Sequence, residues 1–155
     1  IDLGKRSGIW QDSDVEYYKD QFQNPKNINI VYQNEDGLIV GYILAKPHNE
    51  AVRDYRQIED PLMTEDDTPI FYVDHVNVDK NVTKHSLGMR LILEMIKEAN
   101  RREVFRFSLH CRVAGGLSKV IQKKFRVNSV RRIEHYVDLN GEAADYIEGE
   151  ANLLK

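Results

Sequence analysis

Between Ile70 and Arg112 a strand, a long amphipathic helix and a second strand follow without interruption, and this succession limits most of what the chain can become. Ile70 to Val78 alternates as a strand does. Tyr72, Asp74, Val76 and Val78 fall on one face, and Phe71, Val73, His75 and Asn77 on the other. A polar turn from Asp79 to His85 leads into Leu87, Leu91 and Met95, with Ile92 and Ile96 beside them. That apolar stripe at helical spacing runs to about Arg101. Val104 to Arg112 is again strand-like, with Phe105, Phe107, Leu109 and Cys111 on one side. The unit is βαβ, and its helix needs a sheet on which to bury the stripe.

The remaining elements are read from the same periodicities. Ser13 and Glu16 have capping-box spacing, and Val15, Tyr18 and Phe22 recur behind them, which predicts a short helix at about 13–23. Ile28, Ile30 and Tyr32 alternate, Asn34–Gly37 is a turn, and Leu38–Ala45 is almost wholly apolar, which predicts a β-hairpin. Gly41 inside its second strand signals a bulge or a close neighbour. Residues 47–69 are polar and acidic, with part of 49–58 helical; a connection this long serves either as a binding loop or as a solvated one. Gly115-Gly116 opens a shorter helix built on Leu117, Val120 and Ile121. Val127–Leu139 is strand-like with a break near Asn128-Ser129, and the tail after Gly141 is expected to be a weak helix. The order gives a mixed α/β layer structure of one domain, residues 1–155, with helices covering a sheet.

The net charge of −3 hides a strong division. Residues 1–78 carry −8, residues 79–132 carry +10 and residues 133–155 carry −5. A basic middle between acidic ends points to a localised anionic partner. Nucleic acid is a poor fit, because the basic residues are interleaved with core positions and no RNA-binding aromatic signature is present. No apolar run approaches the roughly 18 residues of a membrane span. Cys111 is the single cysteine, which fits a reducing, cytoplasmic setting. The histidines and the cysteine show no metal-ligand spacing, so no metal site is expected. The chain opens on Ile1 and not on Met, so a processed or longer parent chain is expected. A homodimer is compatible with the sequence and not required by it.

Chemistry concentrates where the strand at 70–78 runs through Asp79–Gly88 into the long helix. Unpaired N–H groups at a helix start, together with the helix dipole, form an anion site. Ser86 and Gly88 are small enough to let a phosphate approach the backbone, and Lys80 and Lys84 add positive charge, with Arg90 a further candidate.

Thr83-Lys84-His85-Ser86-Leu87-Gly88, followed by Met89-Arg90-Leu91-Ile92, resembles the coenzyme A loop of the GNAT superfamily of N-acetyltransferases, Gln/Arg-x-x-Gly-x-Gly/Ala. By element order the resemblance covers about residues 13–139. It implies a mixed, mostly antiparallel central sheet flanked by helices, with acetyl-CoA as cofactor. It also implies a loop that wraps the pyrophosphate at Thr83, Lys84, Ser86, Leu87 and Gly88, and a pantetheine-pairing strand at Val76 and Val78. The sequence departs from the family pattern at Thr83, at Ser86, at Val113 where Asn is common, at Val120 where a Tyr acid is common, and at Lys124 where Gly is usual. The family usually begins with a strand that residues 1–12 do not supply.

The implied reaction is acyl transfer to a primary amine of a cationic small molecule or protein. It needs a base for the amine proton. Asp74, two residues before Val76, is the first candidate; the alternative is a strand carboxylate paired with an arginine. Tyr136 on the late strand is a candidate for the missing acid. His75 and Cys111 read as structural, and Tyr72 as core. Lys119, Lys123, Lys124, Arg131 and Arg132 either neutralise the cofactor's 3′-phosphate or form a solvated face. Asp60, Glu65, Asp66 and Asp67 would attract a cationic acceptor. The competing reading, motivated by Thr83, Ser86 and Val120, is a binding or regulatory module on the same fold with catalysis lost.

Overall fold

The computed structural model describes residues 15–56, 59–82, 86–136 and 139–152. Its order is α1 (Val15–Gln23), β1 (Ile28–Gln33), β2 (Ile39–Pro47) and α2 (His48–Ala51), which continues as a π-helical turn over Val52–Arg56. Then come β3 (Phe71–Val78), α3 (Leu87–Arg101), β4 (Arg106–Arg112), α4 (Leu117–Lys124), β5 (Val127–Ile133) and β6 (Ala144–Glu150). The strands form one six-stranded sheet in the order β1-β2-β3-β4-β6-β5. Only β3 and β4 pair parallel, as a βαβ connection requires; the other neighbours are antiparallel.

α3 buries Leu87, Met89, Leu91, Ile92, Met95, Ile96 and Ala99 across β1, β2 and β3. Each large apolar side chain removed from water contributes roughly 1.5–3 kcal/mol, so this one face is a main source of stability. Gly41 allows the close approach: a Cβ there would lie 3.2 Å from Leu87 Cδ2 and from Leu91 Cδ1. The adjacent Val40 is also an extra residue in the β1–β2 ladder, so the glycine marks both a close neighbour and a bulge. Ile121 of α4 joins the same core. Arg90 turns away from the α3 start and lies 5.5 Å over the Tyr32 ring.

The opposite face is covered by α1, by the segment after the π-helical turn and by the β5–β6 connection. Phe22 packs on Tyr42 and Tyr18 on His75, while Ala51, Val52, Met63, Tyr72 and Tyr146 form a second buried cluster. The capping position Ser13 lies outside the described residues.

Three expectations change. The tail after Gly141 is a strand, not a helix: β6 inserts between β4 and β5, and Ala144–Ile147 are all buried because neighbours cover both faces. Gly149 makes room there for Phe107, whose Cζ would lie 2.7 Å from an added Cβ. In β3 the simple alternation breaks at Asp74. Val73 pairs with Ala45 and His75 with Leu44, so Asp74 is the extra residue of a β-bulge. The bulge inverts the phase, and Val76 and Val78 join Phe71 and Val73 against the α3 core. Asp74 and His75, although consecutive, both meet α1. The break expected near Asn128-Ser129 is likewise a bulge, within one continuous β5.

Candidate active site

β3 and β4 pair only over Phe71–Val73 and Phe107–Leu109. Beyond that point they separate, at the bulge, where such an insertion bends a strand. A cavity of about 210 Å³ opens between Asp74–Asn77 on one side and His110–Arg112 on the other, with Tyr72, Tyr136 and Leu139 also lining it. The β3–β4 ladder thus ends at Val73 and Leu109, beside the cavity.

The parallel register sets Tyr72 opposite Ser108, so His110 is its diagonal neighbour on the same face. Tyr72 Oη and His110 Nδ1 are 2.9 Å apart. His110 Nε2 lies 2.8 Å from Asp60 Oδ2, and the Arg131 Nη2 donates to that same oxygen at 2.5 Å. The side chains of His110 and Asp60 are each only 3 % exposed. Burial alone would raise the Asp60 carboxyl, but hydrogen bonds from His110 and Arg131, and their charges, outweigh it and hold the group at about 2.

Aromatic rings enclose the imidazole. Tyr136 stacks on it at 4.6 Å with 10° between the planes, Tyr146 is tilted against it at 4.9 Å, and Tyr72 meets it edge-on at 5.8 Å. The Tyr136 hydroxyl donates to Glu59 Oε2 at 3.0 Å, and that of Tyr146 donates to Glu148 Oε1 at 2.7 Å. Burial first, then Glu148, pushes the Tyr146 phenol upward, so it stays protonated.

Among the residues singled out from sequence, Tyr136 is brought to His110. Asp74 is placed at the bulge, its side chain fully buried, with Oδ2 accepting from the Tyr17 hydroxyl at 2.7 Å and bonded to His75 Nδ1 at 3.0 Å. Ser86, Leu87 and Gly88 stand at the start of α3, beside the end of β3: a Cβ on Gly88 would be 3.9 Å from both Val76 Cγ1 and Val78 Cγ2. The Arg90 N–H donates to Ser86 O, so the N–H groups of Leu87, Gly88 and Met89 precede the helical ladder. Ser86 adopts φ 84°, ψ 9°, the left-handed conformation natural to the glycine it replaces in the motif. Thr83 and Lys84 lie outside the described residues.

The acidic connection is not a free collar. Asp60 is buried in the His110 network, Glu65 pairs with Arg53, and Asp66 pairs with Arg106. Of the basic residues near the end of the chain, Arg131 binds Asp60 and Arg132 binds Asp145, whereas Lys119, Lys123 and Lys124 are exposed on α4. His110 escaped the sequence reading because alternation with Cys111 says which face it occupies but not what meets it there. Its signal was a histidine on the strand beside the βαβ helix, on the same face as a tyrosine of the paired strand. Asp60 and Arg131 carry no local signal. Among the described residues no group of His, Cys, Asp or Glu could hold a metal ion, and no helix is long and apolar enough to cross a membrane.

The fold has many relatives of known structure. The ribosomal-protein-S18-alanine N-acetyltransferase of Escherichia coli superposes with a TM-score of 0.65 at 15 % identity, over 99 % of this chain and 86 % of that one. Naa20 of Chaetomium thermophilum, solved with a bisubstrate analogue, gives 0.65 at 14 % identity over 97 % and 80 %. NAA60 of Arabidopsis thaliana, solved with acetyl-CoA, gives 0.62 at 16 % identity over 90 % and 83 %. No curated protein sequence is significantly similar to the chain. The model of the acetyltransferase (GNAT) family matches residues 2–117, three-quarters of the sequence, and the chain belongs to that family.

Proposed function

We propose that the chain is an N-acetyltransferase that moves an acetyl group from acetyl-CoA to a primary amine, with Tyr72 and His110 handling the amine proton. The observation that carries this reading is the Tyr72–His110 hydrogen bond in the floor of the cleft where β3 and β4 part. The β3 segment at Val76 and Val78, beyond the end of the β3–β4 ladder, would take the pantetheine arm. The α3 start at Ser86, Leu87 and Gly88, with Thr83 and Lys84 before it, would take the pyrophosphate through backbone N–H groups and the helix dipole. Bound there, acetyl-CoA supplies an activated thioester acyl group.

The chain's own part is proton transfer. An amine that becomes an amide must lose a proton. The Tyr72 oxygen receives it as the Tyr72 proton passes to His110 Nδ1, and the imidazole later returns its proton to solvent. Tyr136 supports the imidazole by stacking. Asp74, whose carboxylate is shared by Tyr17 and His75, holds the bulge that opens the cleft. The acceptor is a protein N-terminus or a cationic small molecule; solved relatives named for a ribosomal-protein alanine and for agmatine span both classes. The reaction would take place in the cytoplasm.

Calorimetry with acetyl-CoA and turnover assays on an amine panel test this reading. Tyr72→Phe and His110→Ala should each lower kcat by roughly 10²-fold while leaving acetyl-CoA affinity within about twofold. Full activity in His110→Ala would overturn the assignment. Tight acetyl-CoA binding without turnover on any amine would favour the regulatory module instead.

A further inference from the structure

Three segments distant in sequence converge on a single carboxylate oxygen. Asp60 Oδ2 faces His110 Nε2 at 2.8 Å and Arg131 Nη2 at 2.5 Å, while Asp60 Oδ1 accepts the Leu62 N–H at 3.3 Å. An ionised carboxylate only accepts hydrogen bonds, so the hydrogen between Asp60 and His110 belongs to Nε2. A neutral imidazole carries one N–H, which makes Nδ1 the acceptor for the Tyr72 hydroxyl. We propose that Asp60 is the positioning residue that fixes His110 as its Nε2–H tautomer, with Nδ1 turned to the Tyr72 hydroxyl, and that Arg131, bonded to the same Asp60 oxygen, offsets the charge of that carboxylate against the imidazole. The inference rests on the assignment of His110 above and adds the residues that set its tautomer and its basicity.

Charged and titratable groups among the described residues approach His110 from several elements. Tyr72 faces it from β3, and Asp60 and, through Tyr136, Glu59 face it from the segment before β3. Tyr136 covers it from the β5–β6 connection. Tyr146 faces it from β6, with Glu148 on that hydroxyl and Arg106 in turn on Glu148. Arg131 reaches in from β5, its guanidinium 5.1 Å over the Tyr146 ring. Asp60 is a carboxylate in direct contact with the imidazole, and Arg131 is a cation on the same oxygen. Without that cation a buried carboxylate would hold the imidazole protonated, and a protonated imidazole accepts nothing from Tyr72. An asparagine at 60 keeps its amide oxygen toward the Arg131 donor and so still accepts from Nε2, whereas a leucine offers no acceptor and leaves the ring hydrogen unfixed between the two nitrogens.

The test is ¹⁵N-histidine NMR titration of the ligand-free protein, read beside the pH profile of turnover. Wild type should show His110 as the Nε2–H tautomer. In Arg131→Met the His110 midpoint should rise by about one pH unit or more, and the acid limb of kcat/KM should rise with it; Arg131→Lys should restore most of the wild-type position. Asp60→Leu, which removes the acceptor, should leave His110 as a mixture of tautomers and lower kcat by roughly 10-fold or more, and Asp60→Asn, whose amide oxygen still faces Arg131, should restore the Nε2–H form. An unmoved His110 midpoint in Arg131→Met, or an Nε2–H tautomer in Asp60→Leu as exclusive as in wild type, overturns the proposal. If Asp60→Leu does not fold, Arg131→Met decides alone. The NMR arm needs no turnover, so a failed catalytic assignment would show as full activity in His110→Ala with the titration result intact.

Discussion

The ring of Tyr136 lies on the ring of His110, centroids 4.6 Å apart and planes 10° from parallel. Such contact makes the ring, and not the hydroxyl, the main contribution of Tyr136. Tyr136→Phe should keep kcat within about threefold of wild type and cost about 1 kcal/mol through the lost bond to Glu59. Tyr136→Ala, which empties a buried site, should cost roughly 3 kcal/mol and most of the activity. Steady-state kinetics and urea unfolding of the pair separate the two parts; a 10²-fold loss in Tyr136→Phe would instead make the hydroxyl the proton donor.

Ser86 pays a backbone cost that glycine does not, since φ 84° lies in the left-handed region. Ser86→Gly should stabilise by roughly 0.5–1 kcal/mol and raise Tm by about 2–4 °C. Ser86→Val, β-branched at the same φ, should lower it. Thermal unfolding checks both.

Gly149 has no space for a side chain. An added Cβ would meet Phe107 Cζ at 2.7 Å and Arg126 O at 3.3 Å, and Phe107 is itself buried and edge-packed on Phe125. Gly149→Ala should cost about 1–3 kcal/mol. Adding Phe107→Leu should recover part of that loss, a coupling that a double-mutant cycle in urea measures.

Acid should destabilise the protein in a defined window. Asp60 is held near 2, and Asp145 is held below the usual range: burial opposes this, but the bonds from Arg132 and Ser118 prevail. A carboxyl depressed in the folded state contributes stability that is complete above its unfolded value near pH 4 and is lost as pH falls through the folded value. Tm should hold from pH 7 to about 5 and drop toward pH 2, less steeply in Asp145→Asn, whose neutral form starts lower.

Cys111 should be inert in the native protein. Burial, then the nearby Asp145, pushes its thiol up to about 12. Iodoacetamide at pH 8 should leave it unlabelled until urea is added, as read by intact mass.

Some of these relationships were open to a reader of the sequence. The stripe from Leu87 to Ile96, the strands on either side of it and the hairpin around Gly37 are local patterns, and local patterns report local structure. The place of Ser86–Gly88 at the start of the long helix was legible too, because small residues just before an apolar stripe mark a helix start. The face assignment along β3 was not, because one bulged residue at Asp74 reverses it and a bulge depends on the partner strand. β6 was misread for a related reason: Ala144–Glu150 is a strand because β4 and β5 stand on both sides of it, and nothing in its own composition says so.

By itself the sequence determined the βαβ unit, the hairpin, the bulge or close neighbour at Gly41 and the family they compose, since each follows from periodicity and residue size over a few turns of chain. Only the tertiary structure decided which side chains meet around His110. Asp60, Tyr72, His110 and Arg131 lie up to 71 residues apart and meet because parallel β3–β4 register, the inserted β6 and the loop before β3 bring them to one face. No local pattern encodes such a meeting, because strand register and order, set by the packing of the whole sheet, decide it.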